Sequence, residues 1–299
     1  MTSDSLSVTA PDGVPLAVFT DGPPDAPPVL LVHGYPDTHR VWDEVAASLA
    51  ADHYVIRYDV RGAGASGRPA RSAGLAGYRL DRLADDLFAV LDQVSPDRPV
   101  AVAAHDWGSI QAWEAITNPY SAERITSYTT ISGPCLDHVG FWMRDRLLSL
   151  SPRRLTQGLS QAVHSWYVWF FQVPVIPELS WRLWVARAWP FVLRRLEGVT
   201  PREGHPADTL ASDAINGIGL YRANMLARLL APRERIAQVP VQLITATGDN
   251  YVTPALAGSD LDRWVPDLTR QTIEGKHWSV LDKRATDLIR DFADRHSAR

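Results

Sequence analysis

Short, near-continuous runs of apolar residues recur through the first third of the chain, at 29–32, 54–58 and 100–104, separated by segments whose apolar residues fall at helical spacing. A strand buried on both faces has no polar side to alternate with, so these runs predict central strands of a parallel sheet. A further strand is predicted at 14–19. Helices are predicted over 41–50 and 78–94, between the strands, as a parallel sheet covered by helices requires. The rhythm resumes near the end, with strands at 241–246 and 269–273 and a closing helix over 282–295.

Between residues 135 and 235 the alternation stops. The pattern there is helical, and Pro174, Pro177, Pro190, Pro201 and Pro206 are expected to cut it into short pieces. Six of the eleven tryptophans fall in this stretch, and it carries a charge of +5 against −9 for the remainder. A helical insertion with its own charge balance, flanked by α/β segments, reads as a lid on a sheet domain. Residues 1–134 and 236–299 are therefore expected to form the core, and 135–235 a helical cap. Within the cap, 181–195 mixes Trp, Leu and Val with four arginines. It reads as a lid helix over a pocket in preference to an interfacial helix touching a membrane.

Composition narrows the classes. The chain has 299 residues, 45% of them apolar and 21% charged, with a net charge of −4. It is long enough to bury a large core and too balanced for a disordered tail or a general nucleic-acid binder. One cysteine, Cys135, allows no internal disulfide and suits a reducing compartment. No basic segment followed by an apolar one opens the chain, and no apolar run is long enough to span a bilayer. A cytoplasmic protein without stable membrane insertion is expected. Gly62-Ala63-Gly64-Ala65-Ser66-Gly67 spells a dinucleotide-binding pattern, but Arg68-Pro69 stands where its helix should begin. The scattered histidines give no metal-binding spacing. Neither a cofactor nor a metal is expected.

The candidate chemistry begins at Ala104-His105-Asp106-Trp107-Gly108, between the strand at 100–104 and a helical stretch over 109–117. Small residues two positions either side of Asp106 permit a sharp strand-to-helix turn that exposes its apex. The following helix directs backbone N–H groups and its positive end at that apex, a setting that suits a carboxylate. An ionised carboxylate so presented is a competent nucleophile toward an sp³ carbon. Alone, the same residue could be an ordinary helix cap. Two later sites weigh against that. Gly248-Asp249 follows the strand at 241–246, and Gly275-Lys276-His277-Trp278 follows the strand at 269–273. Asp106, Asp249 and His277 thus stand in the chain order nucleophile, acid, histidine. Asp249 would orient the imidazole, and His277 would act as general base toward water. His33-Gly34-Tyr35-Pro36, after the strand at 29–32, would aim the Tyr35 backbone N–H at the reacting centre, with the Trp107 N–H as its partner.

On these motifs, together with Asp59-Val60-Arg61-Gly62-Ala63-Gly64-Ala65-Ser66, the sequence resembles the epoxide hydrolases of the α/β-hydrolase fold along nearly its whole length. The likeness extends to the hydrolase part of actinobacterial epoxide hydrolase D-type proteins. Some of these carry a fused C-terminal dehydrogenase for which this chain has no room, so a single-module relative or an excised domain is expected. The resemblance implies a mostly parallel sheet flanked by helices, with the cap inserted after the sixth strand. It also implies that two lid tyrosines, here Tyr167 and Tyr221, hydrogen-bond and protonate an epoxide oxygen. Trp107, Trp166 and Trp278 are the expected substrate-binding aromatics, and the expected partner is a small apolar epoxide. A homodimer is left open. Two alternatives remain at this point: a haloalkane dehalogenase using the same triad, and a non-catalytic ligand-binding member of the fold.

Overall fold

The computed structural model describes residues 4–258 and 260–297. Eight strands form one sheet in the order β1-β2-β4-β3-β5-β6-β7-β8. They are β1 (Asp4–Thr9), β2 (Pro15–Asp21), β3 (Pro28–Val32), β4 (Tyr54–Tyr58), β5 (Val100–His105), β6 (Ile125–Ile131), β7 (Val241–Ala246) and β8 (Leu268–Ile273). β1 pairs with β2, and β2 with β4, in antiparallel sense; the remaining pairs are parallel. Every residue of β3 and β5 is buried, which is why both read as unbroken apolar runs. β1 and β6 were not expected from the hydrophobic pattern. β1 is a largely exposed edge strand of sequence DSLSVT, and β6 buries Ser127, Thr129 and Thr130. Polar residues on both kept the apolar signal below notice.

Helices flank the sheet: α1 (Asp43–Leu49), α2 (Leu80–Val94), α3 (Trp107–Ile116) and the short α4 (Ser121–Arg124) precede β6. The helix expected over 41–50 divides into a 3₁₀ turn, His39–Trp42, and α1. Eight further helical pieces follow β6 before β7: α5 (Leu136–Leu147), α6 (Pro152–His164), α7 (Trp166–Gln172), a run over 176–197 in which α8 (Ile176–Ser180) and α9 (Ala186–Val192) alternate with two π-helical turns, and α10 (Leu210–Leu230). Pro174 separates α7 from α8, as expected, but Pro190 does not end its helix. The turns on both sides of α9 widen to π geometry, Trp181–Val185 and Leu193–Glu197. α5, α7 and α8 all pack on α10. After β7 come α11 (Pro254–Gly258) and α12 (Lys283–Ser297).

Strand register positions the site. Val32 pairs with Ala104 and His105 with Ile131, so the loops after β3, β5 and β6 leave the same sheet edge side by side. Ala246 pairs with Ile273, so the loops carrying Asp249 and His277 do likewise. Backbone hydrogen bonds from Thr247 to Ile273 and from Gly248 to Gly275 fasten these two loops together.

Candidate active site

Asp106 sits on a backbone with φ +52° and ψ −125°, between β5 and α3. Few side chains tolerate this conformation without strain, and strain of this kind is held only where packing leaves no other choice. The packing here is close. A Cβ on Gly108 would lie 2.2 Å from the Val32 carbonyl oxygen, and one on Gly34 would lie 2.4 Å from an Asp106 carboxylate oxygen. Hence the small residue two positions after the apex, and the glycine in the His-Gly-Tyr-Pro loop.

The Asp106 side chain makes no cap hydrogen bond to its own helix, so the ordinary helix-cap role does not describe it. Instead, the Tyr35 backbone N–H donates to its Oδ1 at 2.7 Å, and its Oδ2 lies 3.4 Å from Nε2 of His277. The Trp107 nitrogen opens α3 directly beside Gly34. His33 holds the loop in place from behind: its Nδ1 pairs with the Gly34 carbonyl at 2.9 Å and its Nε2 accepts from the Val60 N–H at 2.9 Å.

His277 is buried, and its Nδ1 meets Oδ2 of Asp249 at 3.0 Å. The other Asp249 oxygen accepts the N–H groups of Tyr251 and Val252 at 2.7 and 3.0 Å. Burial by itself would raise the Asp249 pKa, but the His277 charge and these hydrogen bonds bring it down to about 2. Burial likewise works against a charged His277. The Asp249 charge and the hydrogen bonds that the ring donates to both carboxylates outweigh it and raise the imidazole well above its ordinary value. The neighbouring His105, buried and beside His277, goes the other way, to about 4, and its Nε2 holds the His277 carbonyl at 2.8 Å.

This electrostatic layout has a direct consequence. Asp106→Asn removes one of the two anions that favour imidazolium, so the His277 pKa should fall, leaving Asp249 as its remaining support. Titration of the His277 ring by NMR in wild type and variant would show this; an unchanged or higher value in the variant would contradict the coupling. Any other loss of the Asp106 charge should act in the same direction, weakening the hold on the imidazolium proton.

Two helices of the inserted segment bring phenols over Asp106. Tyr221, on α10, is buried with its ring 4.8 Å from Trp107 and 5.2 Å from Tyr35. Tyr167, on α7, lies 6.0 Å from Tyr221, ring to ring. Burial and then the Asp106 charge push both phenols well above the usual tyrosine range. Both are therefore held protonated, as donors. Trp107 and Trp278 are buried at the site, Trp278 with its ring 4.6 Å from His277. Trp166 is not brought there. It is 65% exposed on the outer side of α7, with its ring 6.4 Å from Tyr167 and 6.2 Å from Phe170. In a seven-residue helix with aromatics on both faces, spacing does not tell inside from outside.

Several site residues were not singled out from sequence. Tyr251, two positions after Asp249, places its ring 4.8 Å from His277 and 5.5 Å from Tyr167. Gln161, buried on α6, donates to the Tyr251 carbonyl at 2.9 Å and accepts from Thr253, tying the helical insertion to the Asp249 loop. Asp37 accepts from the Trp278 indole at 2.7 Å and pairs with His205 at 2.9 Å. Glu197, also buried, has its pKa raised by desolvation close to His277. Only Asp37 and Tyr251 carried any signal, through their places just beyond motif residues.

A model of the α/β-hydrolase fold matches residues 27–284. The chain is 38% identical over 298 residues to the probable oxidoreductase EphD of Mycobacterium tuberculosis, covering 97% of this chain and 49% of that protein. It thus spans about half the length of the curated relatives it matches first. Epoxide hydrolase A of the same organism is 37% identical over 126 residues, 42% of this chain and 37% of that protein. Among solved structures, an epoxide hydrolase from Bacillus megaterium complexed with its product aligns with a TM-score of 0.77 at 18% identity, over 97% of this chain and 100% of that one. Another from Vigna radiata aligns at 0.76 and 21%, over 98% of each. Identities this low speak to the fold, and with the family match they settle that much: this chain belongs to the α/β-hydrolase fold family.

Proposed function

We propose that the chain is an epoxide hydrolase that opens an apolar epoxide to a vicinal diol through an ester on Asp106. The observation that carries this reading is the carboxylate of Asp106, held between the Tyr35 N–H and His277, beneath two phenols kept protonated by burial. The similarity to epoxide hydrolase A supports it.

The chemistry follows from the charges. An Asp106 oxygen attacks a ring carbon as the carbon–oxygen bond breaks, and the departing alkoxide, a strong base, takes a proton from Tyr167 or Tyr221. The ester no longer carries the Asp106 charge. His277, oriented by Asp249, removes a proton from water, and the hydroxide adds to the Asp106 carbonyl carbon. The N–H groups of Tyr35 and Trp107 stabilise the oxyanion. Collapse expels the diol oxygen, which takes the proton from His277; the carboxylic acid left on Asp106 returns its proton to the phenolate. Epoxide plus water gives diol, with every group restored. The residues of 135–235 serve as the cap that carries the phenols, and no cofactor enters the cycle.

Incubating the protein with an aromatic epoxide and, separately, with a bromoalkane tests the assignment. Diol should form from the epoxide with little bromide released. Bromide release matching or exceeding diol formation would overturn it in favour of a dehalogenase, and neither product would favour a ligand-binding protein.

A further inference from the structure

Large apolar side chains on the surface are not spread over the molecule. Of the twenty that stand exposed among the described residues, sixteen lie between positions 147 and 196, on the outer side of the helical insertion. Scattered exposed leucines are normal; a concentration of this kind marks a surface with a partner. The run over 176–197 shows how it arises. Trp181, Trp189 and Leu193 turn inward and are buried, whereas Ile176, Leu179, Leu183 and Phe191, spaced as one helical face, are 45–64% exposed. A helix apolar on both sides and covered on one has an unmet face. On α7 the division is the same: Phe171 is buried against Tyr221, while Trp166 and Trp169 face outward at 65% and 59% exposure.

Charge identifies the partner. The same stretch carries six exposed arginines, Arg153, Arg154, Arg182, Arg187, Arg194 and Arg195. Its one acidic residue, Glu178, pairs with Arg222; Glu197, just beyond it, is buried, and Asp145, just before it, pairs with Arg146 and Arg154. Apolar and aromatic side chains interleaved with arginine, with no free carboxylate, complement a layer that is anionic at its surface and hydrocarbon beneath. A second copy of the chain fits worse, because a two-fold interface sets each patch against itself and arginines against arginines.

We propose that the outer face of the cap docks on anionic lipid membrane, with the 176–197 run and α7 lying in the interface and the core facing water. No helix among the described residues is long and apolar enough to cross a bilayer, so the attachment is peripheral. The consequence for substrate rests on the epoxide reading: the helices that meet lipid also carry Tyr167 and cover Tyr221, so an epoxide dissolved in the membrane would enter from the side where it is concentrated.

Flotation with vesicles of phosphatidylglycerol and phosphatidylcholine, against phosphatidylcholine alone, tests the docking without reference to activity. Wild type should partition at least about tenfold more strongly onto the anionic vesicles and come off as salt is raised. Arg187→Glu with Arg194→Glu should lose that preference, and Leu183→Ser with Phe191→Ser should weaken binding to both, while all retain turnover of a water-soluble epoxide. If a variant misfolds, brominated lipid should still quench wild-type tryptophan fluorescence through Trp166, Trp169 and Trp184. Absent quenching, equal binding to both vesicles, or a dimer in solution abolished by Leu183→Ser with Phe191→Ser would overturn the proposal. Vesicle binding by a protein that makes no diol would leave the docking standing and remove the epoxide reading alone.

Discussion

His277→Ala should abolish steady turnover and leave the protein carrying its substrate, with intact mass increased by that of one epoxide and the adduct on Asp106. The two halves of the reaction make different demands on His277. Attack on the ring carbon needs the Asp106 oxygens and a proton donor, both of which survive the substitution. Hydrolysis of the ester needs a base beside water, and the adjacent imidazole does not supply one: His105 is committed through Nε2 to the His277 carbonyl and is buried. A fall in turnover of at least about 10³-fold is expected, at the upper part of what a positioned general base supplies. Removing the imidazole also leaves Asp249 buried without its cation, at a cost of about 3–5 kcal/mol. His277→Gln, which keeps volume and a hydrogen-bond donor, is the companion that separates lost chemistry from lost folding. Both variants folded and neither forming an adduct, under conditions where wild type makes diol, would exclude the covalent route.

How much of this the sequence announced depends on whether the signal was local. The turn at Asp106 was legible because strain there needs Gly108 and the glycine of the facing loop, and both leave a mark within a few residues. The order of Asp106, Asp249 and His277 was legible because each follows its own strand. Contacts made only by folding left no trace. Gln161 reaches Thr253 across 92 positions and His205 reaches Asp37 across 168, and nothing near either residue hints at its partner. β6 was passed over because its buried face is built from Ser127 and Thr129 as well as Ile and Tyr. Trp166 was assigned inward because aromatic richness signals a pocket wall and a lipid-facing surface equally; exposure separates the two, and exposure is a property of the fold.

The second large effect concerns the phenols. Tyr167→Phe combined with Tyr221→Phe should reduce epoxide opening by about 10²–10⁴-fold, the range a general acid contributes, with thermal stability nearly unchanged. Their rings pack edge-on against each other and, in Tyr221, against Trp107, Tyr35 and Phe171, contacts that phenylalanine keeps. Only the hydroxyls go. Their loss should fall on formation of the ester and leave its hydrolysis alone, because His277 and Asp249 bond to neither ring. Pre-steady-state mixing would therefore show no accumulated adduct in the double variant, the opposite of His277→Ala. Each single variant should lose less than the pair, since either phenol can supply the proton. Ring opening at the wild-type rate in the double variant would mean that the alkoxide finds its proton elsewhere. Bromide as leaving group gives the control: it departs without a proton, so whatever dehalogenation the wild type shows should survive the loss of both hydroxyls.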